Sequence, residues 1–259
     1  MWRSLARVRS DWNRHAEIDP LWAILTDPRM KDRRWEAEAF FETGRQEIDA
    51  LMRHAASLEV PLGRRRAMDF GCGVGRLTRA LAVHFDEVYG VDISPAMLRL
   101  AREYNAHVPN CIFVQNPDPS FRAVPVSDFD LIYSTITLQH MPPRHAMRYL
   151  RALVGRLRPG GLLVFQLVDR CRTPLAERLC SILYQEIFRR HLLRAQPAMD
   201  VYGVDKQRVI ALIEQSGCRI LDVEPNDGAG PAWTSYRYAA VREEAAGPMP
   251  DHRDLQAEN

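Results

Sequence analysis

Three groups of residues in this chain have the types and spacing for chemistry. The first is Asp69-Phe70-Gly71-Cys72-Gly73-Val74-Gly75, an acid followed by glycine at every second position. Glycine is needed where the backbone takes φ > 0 or where something lies against it with no room for a Cβ, so such a loop exposes the chain's own amides as a binding surface. The helix that follows it would add free N–H groups and a partial positive charge, which suit a carboxylate or hydroxyls. A plain strand-to-helix turn is the alternative reading. The second is Asp92, about 20 residues further on, at the end of the next apolar run, where a carboxylate can accept both hydroxyls of a ribose. Asp92 is alternatively an N-cap acid, although Ser94 is itself a good cap for the helix that starts at Pro95. The third is His140 in Leu138-Gln139-His140-Met141-Pro142-Pro143. A histidine titrating near ~6.5 can take the proton from a hydroxyl as that hydroxyl becomes a nucleophile, or it can only brace its loop. His145 is a weaker choice of base because it falls inside the following helix.

The elements that must position these residues are legible as a change of rhythm. Residues 1–60 look helical, with Trp35 to Leu58 placing Phe40, Phe41, Ile48, Leu51 and Met52 on one apolar face. From 67 onward short apolar runs alternate with longer amphipathic ones, the signature of βα units wound into a mostly parallel sheet. Strands are predicted over 67–70, 88–91, 112–115, 131–134 and 162–168, with helices over 75–84, 95–105 and 144–157. After the fifth strand the rhythm breaks. An amphipathic helix is predicted over 174–194, then a helix over 205–215 and two further strands, 219–223 and 236–241, as an antiparallel pair at the sheet edge. The expected fold is α/β, a doubly wound, mostly parallel seven-stranded sheet. The expected organisation is an N-terminal helical cap (1–60), a main domain (61–242) with a helical lid inserted at 169–204, and a disordered tail (243–259).

Composition narrows the function classes. The chain has 259 residues, with 35 basic and 33 acidic side chains and a net charge of +2, and its basic residues are scattered apart from Arg64-Arg65-Arg66 and Arg189-Arg190. This argues against a nucleic-acid-binding stripe. No apolar run approaches the ~20 residues that cross a bilayer, and residues 1–10 lack the apolar segment of a secretion signal, so a soluble cytoplasmic protein without a membrane partner is expected. The five cysteines are far apart and show no Cys-x-x-Cys spacing, which suggests reduced, structural thiols. No cluster of acids and histidines has convincing metal-ligand spacing; no metal is assigned, and magnesium is left open.

The Gly-x-Gly-x-x-Gly fingerprint of nicotinamide dinucleotide enzymes fails here, because its last glycine is Arg76. What remains, an acid and three alternating glycines, resembles the first motif of class I S-adenosylmethionine-dependent methyltransferases. The stretch 89–98 (YGVDISPAML) resembles that family's second motif. Phe129 to Ser134 resembles its fourth-strand segment, and 157–165 (LRPGGLLVF) the turn into its fifth strand. The resemblance implies a Rossmann-like methyltransferase fold, S-adenosyl-L-methionine as cofactor and S-adenosyl-L-homocysteine as product. It implies Gly71, Gly73 and Gly75 under the methionine part with Asp69 beside them, Asp92 on the ribose, and Ile93 and Met97 against the adenine. After the third strand this chain has Gln115-Asn116-Pro117-Asp118 where many relatives carry Gly-Asp; Asn116 or Asp118 would accept the adenine amino group, Asn116 being preferred, with an Asx-turn as the alternative.

Ligands of open α/β sheets lie beyond the carboxyl ends of the strands, so Ser134, Thr135, Thr137, Gln139 and His140 would face the transferred methyl group. Ser134 is assigned to the donor site and His140 is the candidate base. Arg45 would pair with the donor carboxylate or lie on a solvated helix face. Trp12, Trp22, Trp35 and Trp233 would stack on an acceptor or simply fill core. Residues 22–28 (WAILTDP), the Leu138 to Pro143 segment and Trp233 to Tyr238 look like bacterial methyltransferases of saccharide and natural-product pathways. That likeness implies a small-molecule acceptor, with an oxygen of a sugar or secondary metabolite ahead of nitrogen. An RNA or protein methyltransferase is the rival, which the near-neutral charge speaks against; a non-catalytic S-adenosylmethionine-binding partner subunit is another. A homodimer is left open.

Overall fold

The fifteen-residue β5 and its neighbours show why this chain forms an open sheet. In the computed structural model, which describes residues 4–172, 197 and 199–244, seven strands are hydrogen-bonded in the order β3-β2-β1-β4-β5-β7-β6. They are β1 (Arg66–Phe70), β2 (Glu87–Asp92), β3 (Cys111–Gln115), β4 (Phe129–Ser134), β5 (Leu157–Cys171), β6 (Cys218–Asn226) and β7 (Trp233–Arg242). The first five pair in parallel, and β7 runs antiparallel to both β5 and β6. The expected doubly wound, mostly parallel seven-stranded sheet is therefore present.

Strand side chains divide between the two faces with period two, as the pleat requires. Met68, Ile132, Leu163 and Phe165 face one core, covered by α6 (Pro143–Val154) and α7 (Lys206–Gln215) through Tyr149, Leu150, Leu153, Val209 and Ile213. Ala67, Leu131, Leu162 and Val164 face the other, covered by α3 (Ala37–Ser57) and α4 (Arg76–Leu81) through Ile48, Leu51, Leu77 and Leu81. Every residue of β4 is buried, the pattern of a central parallel strand covered on both sides.

Three N-terminal helices precede the sheet: α1 (Leu5–Ile18), α2 (Pro20–Ile24) and α3. Asp19 joins the first two, its carboxylate accepting the backbone N–H groups of Trp22 and Arg33. α3 has two roles that a cap alone would not have. Its second half belongs to the sheet layer, whereas Phe40 and Phe41 near its start pack with Ala16, Leu21, Val74 of the glycine loop and Met97 of α5 (Pro95–Tyr104). α5 begins where the sequence indicates, with the Ser94 hydroxyl accepting the Met97 N–H at 3.1 Å and proline in the first turn.

Several boundaries differ from the expected ones. β5, β6 and β7 extend beyond 162–168, 219–223 and 236–241, because pairing from Leu162↔Val241 to Cys171↔Trp233 carries the ladder through polar residues that show no apolar alternation. α6 ends at Val154, and Leu157 joins the sheet opposite Phe129. α4 stops at Leu81, short of the predicted His84. The predicted lid helix 174–194 and all but the first two residues of the tail 243–259 lie outside the described residues.

Gly44 in α3 is required by close approach. A Cβ there would meet the Arg76 carbonyl oxygen at 2.6 Å and the Arg76 Cγ at 2.8 Å. Glycine to alanine inside a helix ordinarily stabilises by about 0.5–1 kcal/mol. Here the contact with backbone reverses the sign, and Gly44→Ala is expected to cost about 1–3 kcal/mol by forcing α3 from α4. Urea denaturation of the two proteins side by side measures it; a gain in stability would contradict this packing.

Candidate active site

β1 runs directly into the glycine loop, whose first two amides, Gly71 N–H and Cys72 N–H, both donate to the Val91 carbonyl at 2.7 and 3.2 Å. Gly73 N–H donates to Asp92 Oδ2 at 2.9 Å, and the other carboxylate oxygen accepts Ser94 N–H at 2.8 Å. The loop after β1 and the end of β2 are thus tied through one side chain. Burial raises the Asp92 pKa above the ordinary carboxylate range, against the lowering effect of the Ser94 and Gly73 amides. Beyond these strand ends lies a cavity with about 830 Å³ of empty space including its mouth, the size of a small-molecule site.

Of the residues singled out in the sequence, Asp69, Gly71, Gly73, Asp92, Ile93, Asn116 and His140 all line this one cavity. The glycines are held tightly: Gly71 has φ +83° and a Cβ there would meet Thr137 Oγ1 at 2.1 Å, while a Cβ on Gly73 would meet Ile24 Cδ1 of α2 at 2.7 Å. The missing side chains let the segment after β4 and the N-terminal helices close over the loop. Asn116 is buried, receives its place from a bond between its backbone N–H and the Asp92 carbonyl at 2.8 Å, and donates its side-chain amide to the Asp118 carbonyl at 2.8 Å. Asp118 itself is exposed and lies outside the lining.

Three expected residues sit behind the cavity wall. Gly75 has φ +83° at the start of α4, and a Cβ there would meet Asn105 Nδ2 at 2.7 Å and the Phe113 ring at 2.9 Å. Met97 is buried among the N-terminal helices, and Ser134, fully buried, donates its hydroxyl to the Phe70 carbonyl at 2.9 Å. Arg45, on the outer side of α3, pairs with Glu42 and Asp49. Of Trp12, Trp22, Trp35 and Trp233, Trp12 alone lines the cavity; Trp22 and Trp35 donate their indole N–H groups to Asp27 and Leu25 carbonyls within the N-terminal helices. His145 lies on α6 away from the lining and accepts from Arg144.

Arg76 emerges only in three dimensions. In sequence it is merely the residue that breaks a glycine fingerprint. In the fold it lines the cavity while 3 % exposed. It donates to Glu47 Oε2 at 2.8 Å and Thr43 Oγ1 at 3.3 Å, and Glu47 Oε1 accepts the Tyr133 hydroxyl at 2.8 Å. Its Nε–H is buried without a partner among the described residues. Val8, Trp12, Ile24 and Tyr149 also line the space, with only generic helical or apolar patterns to mark them in the sequence.

The His140 ring borders the cavity, with the Trp12 ring edge-on at 5.5 Å. Its Nδ1 lies 2.8 Å from the Asp200 carbonyl oxygen. A carbonyl only accepts, so Nδ1 carries a proton, and in the neutral ring Nε2 is the bare nitrogen. Burial pulls the His140 pKa below the usual imidazole value, opposed by the Asp200 hydrogen bond and assisted by nearby His15. Cys72, also in the lining, has its thiol pushed well above the ordinary range by burial and stays protonated. Cys72, Cys111, Cys171 and Cys218 are free thiols; Cys180 lies outside the described residues. One potential metal-ligating trio is brought together across the fold, His54 of α3 with Asp222 and Glu224 of β6, and none of the three lines the cavity. Among the described residues no helix is long and apolar enough to cross a membrane.

A sheet of this order with a glycine loop at the end of β1 and an acid at the end of β2 is the Rossmann-like fold of class I methyltransferases, and solved structures match it over nearly the whole chain. Magnesium protoporphyrin IX methyltransferase from Synechocystis PCC 6803 with bound SAH superposes with a TM-score of 0.63 at 20 % identity, covering 93 % of this chain and 100 % of that one. N-methyltransferase NodS from Bradyrhizobium japonicum WM9, in complex with S-adenosyl-L-homocysteine, gives 0.60 at 17 %, covering 92 % and 100 %. Residues 67–161 match the methyltransferase-domain family model. In sequence it is similar to the trans-aconitate 2-methyltransferase of Rhodopseudomonas palustris (strain BisB18), 32 % identical over 171 residues, 64 % of this chain and 62 % of that protein. It is also similar to that of Methylobacterium radiotolerans, 37 % identical over 136 residues, 52 % and 48 %. The chain thus spans about half to three-fifths of the length of these curated relatives.

Asp69 supplies a test of the site's electrostatics. Its buried carboxylate accepts the Thr78 hydroxyl at 2.6 Å, yet desolvation pushes its pKa up to about 7 from 3.8, with Thr78 and Arg76 opposing. Between those two values the unfolded chain is ionised while the folded one keeps its proton, so stability falls as pH rises through this window. The full effect is up to about 4 kcal/mol at 1.36 kcal/mol per unit. Asp69→Asn, which keeps an acceptor for Thr78, is expected to flatten this slope in urea titrations across the same range; an unchanged slope would show Asp69 ionised in the folded protein.

Proposed function

We propose that the protein transfers a methyl group from S-adenosyl-L-methionine to a hydroxyl oxygen of a small molecule, a sugar or secondary metabolite, leaving S-adenosyl-L-homocysteine. The residues around the cavity fit that donor. Backbone narrowed by Gly71 and Gly73 floors it, Asp92 offers a carboxylate to the ribose, and Asn116 with Ile93 lies at the end where the adenine would sit. The unpartnered Arg76 Nε–H is a buried donor for the donor's carboxylate. When bound, the donor supplies a sulfonium methyl already activated for in-line displacement, so the chain's task is to position the acceptor and move one proton.

A single observation carries the oxygen assignment: a histidine whose Nδ1 faces the Asp200 carbonyl borders the same cavity as the glycine loop. A hydroxyl must lose its proton as the carbon–oxygen bond forms, and Nε2 takes it. Thr135, Ile136 and Thr137 form the rim between the two. The acceptor is uncharged at its reacting end. Among the described lining residues Arg76 is the only arginine or lysine; it donates to Glu47 and Thr43 and keeps its Nε–H for the donor's carboxylate. Residues 1–60 act as the cap, α1 and α2 closing over the loop through Trp12 and Ile24. The protein acts in the cytoplasm on a small molecule rather than a nucleic acid, and the transfer as proposed requires no metal.

Asp92→Ala is expected to weaken S-adenosylmethionine binding by about 1–3 kcal/mol through loss of the ribose contacts, measured by titration calorimetry; unchanged affinity would move the ribose elsewhere. His140→Ala is expected to lower turnover about 100-fold or more while donor affinity holds. Screening mono- and oligosaccharides and aglycones with mass-tagged donor supplies the acceptor. Labelling confined to nitrogen or carboxylate acceptors would overturn the reading.

A further inference from the structure

Behind His140 a row of buried amides runs back across the sheet. Gln166 of β5, 2 % exposed, accepts the Ile136 backbone N–H through Oε1 at 3.1 Å. That partner can only donate, so it settles which end of the Gln166 amide is oxygen and turns Nε2 towards Gln139 Oε1 at 2.9 Å and Ser235 Oγ at 2.5 Å. Ser235 spends its own proton on the Leu167 carbonyl at 3.3 Å and so accepts from Gln166. Gln139, 3 % exposed, has its oxygen committed to Gln166 and therefore presents its NH₂ to His140 Nε2 at 3.4 Å. On the far side of the ring the Asp200 carbonyl faces Nδ1. With a donor at one nitrogen and an acceptor at the other, only the neutral imidazole protonated on Nδ1 satisfies both.

We propose that Gln139 and Gln166 are positioning residues for methyl transfer: the directed chain Ile136, Gln166, Gln139 holds His140 neutral with its Nε2 lone pair on the Gln139 N–H, which the acceptor hydroxyl displaces before its proton moves to Nε2. This rests on the reading of His140 as the base. Adding a proton to Nε2 sets its N–H against the Gln139 NH₂, so the imidazolium is stable only if that amide turns and breaks with Gln166. The ring is therefore neutral in the resting enzyme, and a proton taken from an acceptor is readily given up again. The other titratable groups facing it among the described residues are His15 of α1, which disfavours its protonation, and Asp200, hydrogen-bonded by the Tyr202 hydroxyl at 3.3 Å, which favours it. Neither contact runs through the amide chain.

The test follows the His140 ring nitrogens by ¹⁵N NMR against pH in the full-length protein, beside the pH dependence of kcat, for wild type, Gln139→Met, Gln166→Met and Gln139→Glu. In wild type the Nδ1–H tautomer is expected. Gln139→Met removes the donor from the neutral ring and Gln166→Met frees that donor to turn, so both move the His140 titration to higher pH. Gln139→Glu puts an acceptor there and moves it furthest. The low-pH limb of kcat follows in the same order, with S-adenosylmethionine affinity unchanged. If Gln166→Met fails to fold, the two Gln139 variants, which leave Gln166 bonded to Ile136 and Ser235, carry the test. An Nε2–H tautomer in wild type, or a titration that neither Gln139 variant moves, overturns the amide chain itself. A titration that moves while the kcat limb stays overturns the proposal through its premise, showing that His140 is not the base.

Discussion

Between β1 and β4 the winding of the sheet reverses, and the site depends on that reversal. The helix after β1 covers one face with α3, and the helix after β4 covers the other with α7. Their connecting loops must diverge, which opens a crevice at the carboxyl ends of the two strands. Gly71 lies on one side of it and Thr137 on the other, so close that a methyl group on the glycine would overlap the threonine hydroxyl. The strand ladder decides where a small molecule can enter, and the local residues decide which one.

A second constraint makes the N-terminal helices part of the site. α3 approaches α4 closely enough to exclude a Cβ at Gly44, and the same contact delivers Glu47 and Thr43 to Arg76. A buried guanidinium without a partner would be costly, so the helix and the arginine require one another. Because Glu47 also accepts from Tyr133 of β4, the N-terminal layer is tied to the sheet and to the cavity wall at one carboxylate. The helices before residue 67, where the matched family model begins, are thus packed into the same wall as the matched domain.

Chemistry and packing are separated along the same strands. Asp69 and Asp92 stand on β1 and β2, whose other residues are mostly buried, Asn116 follows the half-buried edge strand β3, and hydrogen bonds inside the wall hold each of them. On the opposite wall, the backbone amide of Ile136 fixes Gln166 and through it Gln139, so that a buried polar row, every amide satisfied, ends at an imidazole. Satisfied networks of this kind rigidify what they touch.

The strand-loop-helix units, the glycine loop, Asp92 and the capped start of α5 were legible in the sequence because each is a local matter: side-chain periodicity, positive φ, a hydroxyl three residues from the amide it caps. The class of cavity could be read from the same stretch. Helix ends, the length of the last three strands, and the sorting of site residues were not legible, because ladder pairing and burial come from distant segments. Met97, Ser134 and Gly75 look like ligands in one dimension and prove to be wall, while Arg76 looks like a defect and proves to be the hub joining cap to cavity. Which amide faces His140 depends on bonds between residues 27 and 69 positions apart, and only folding brings those partners into reach.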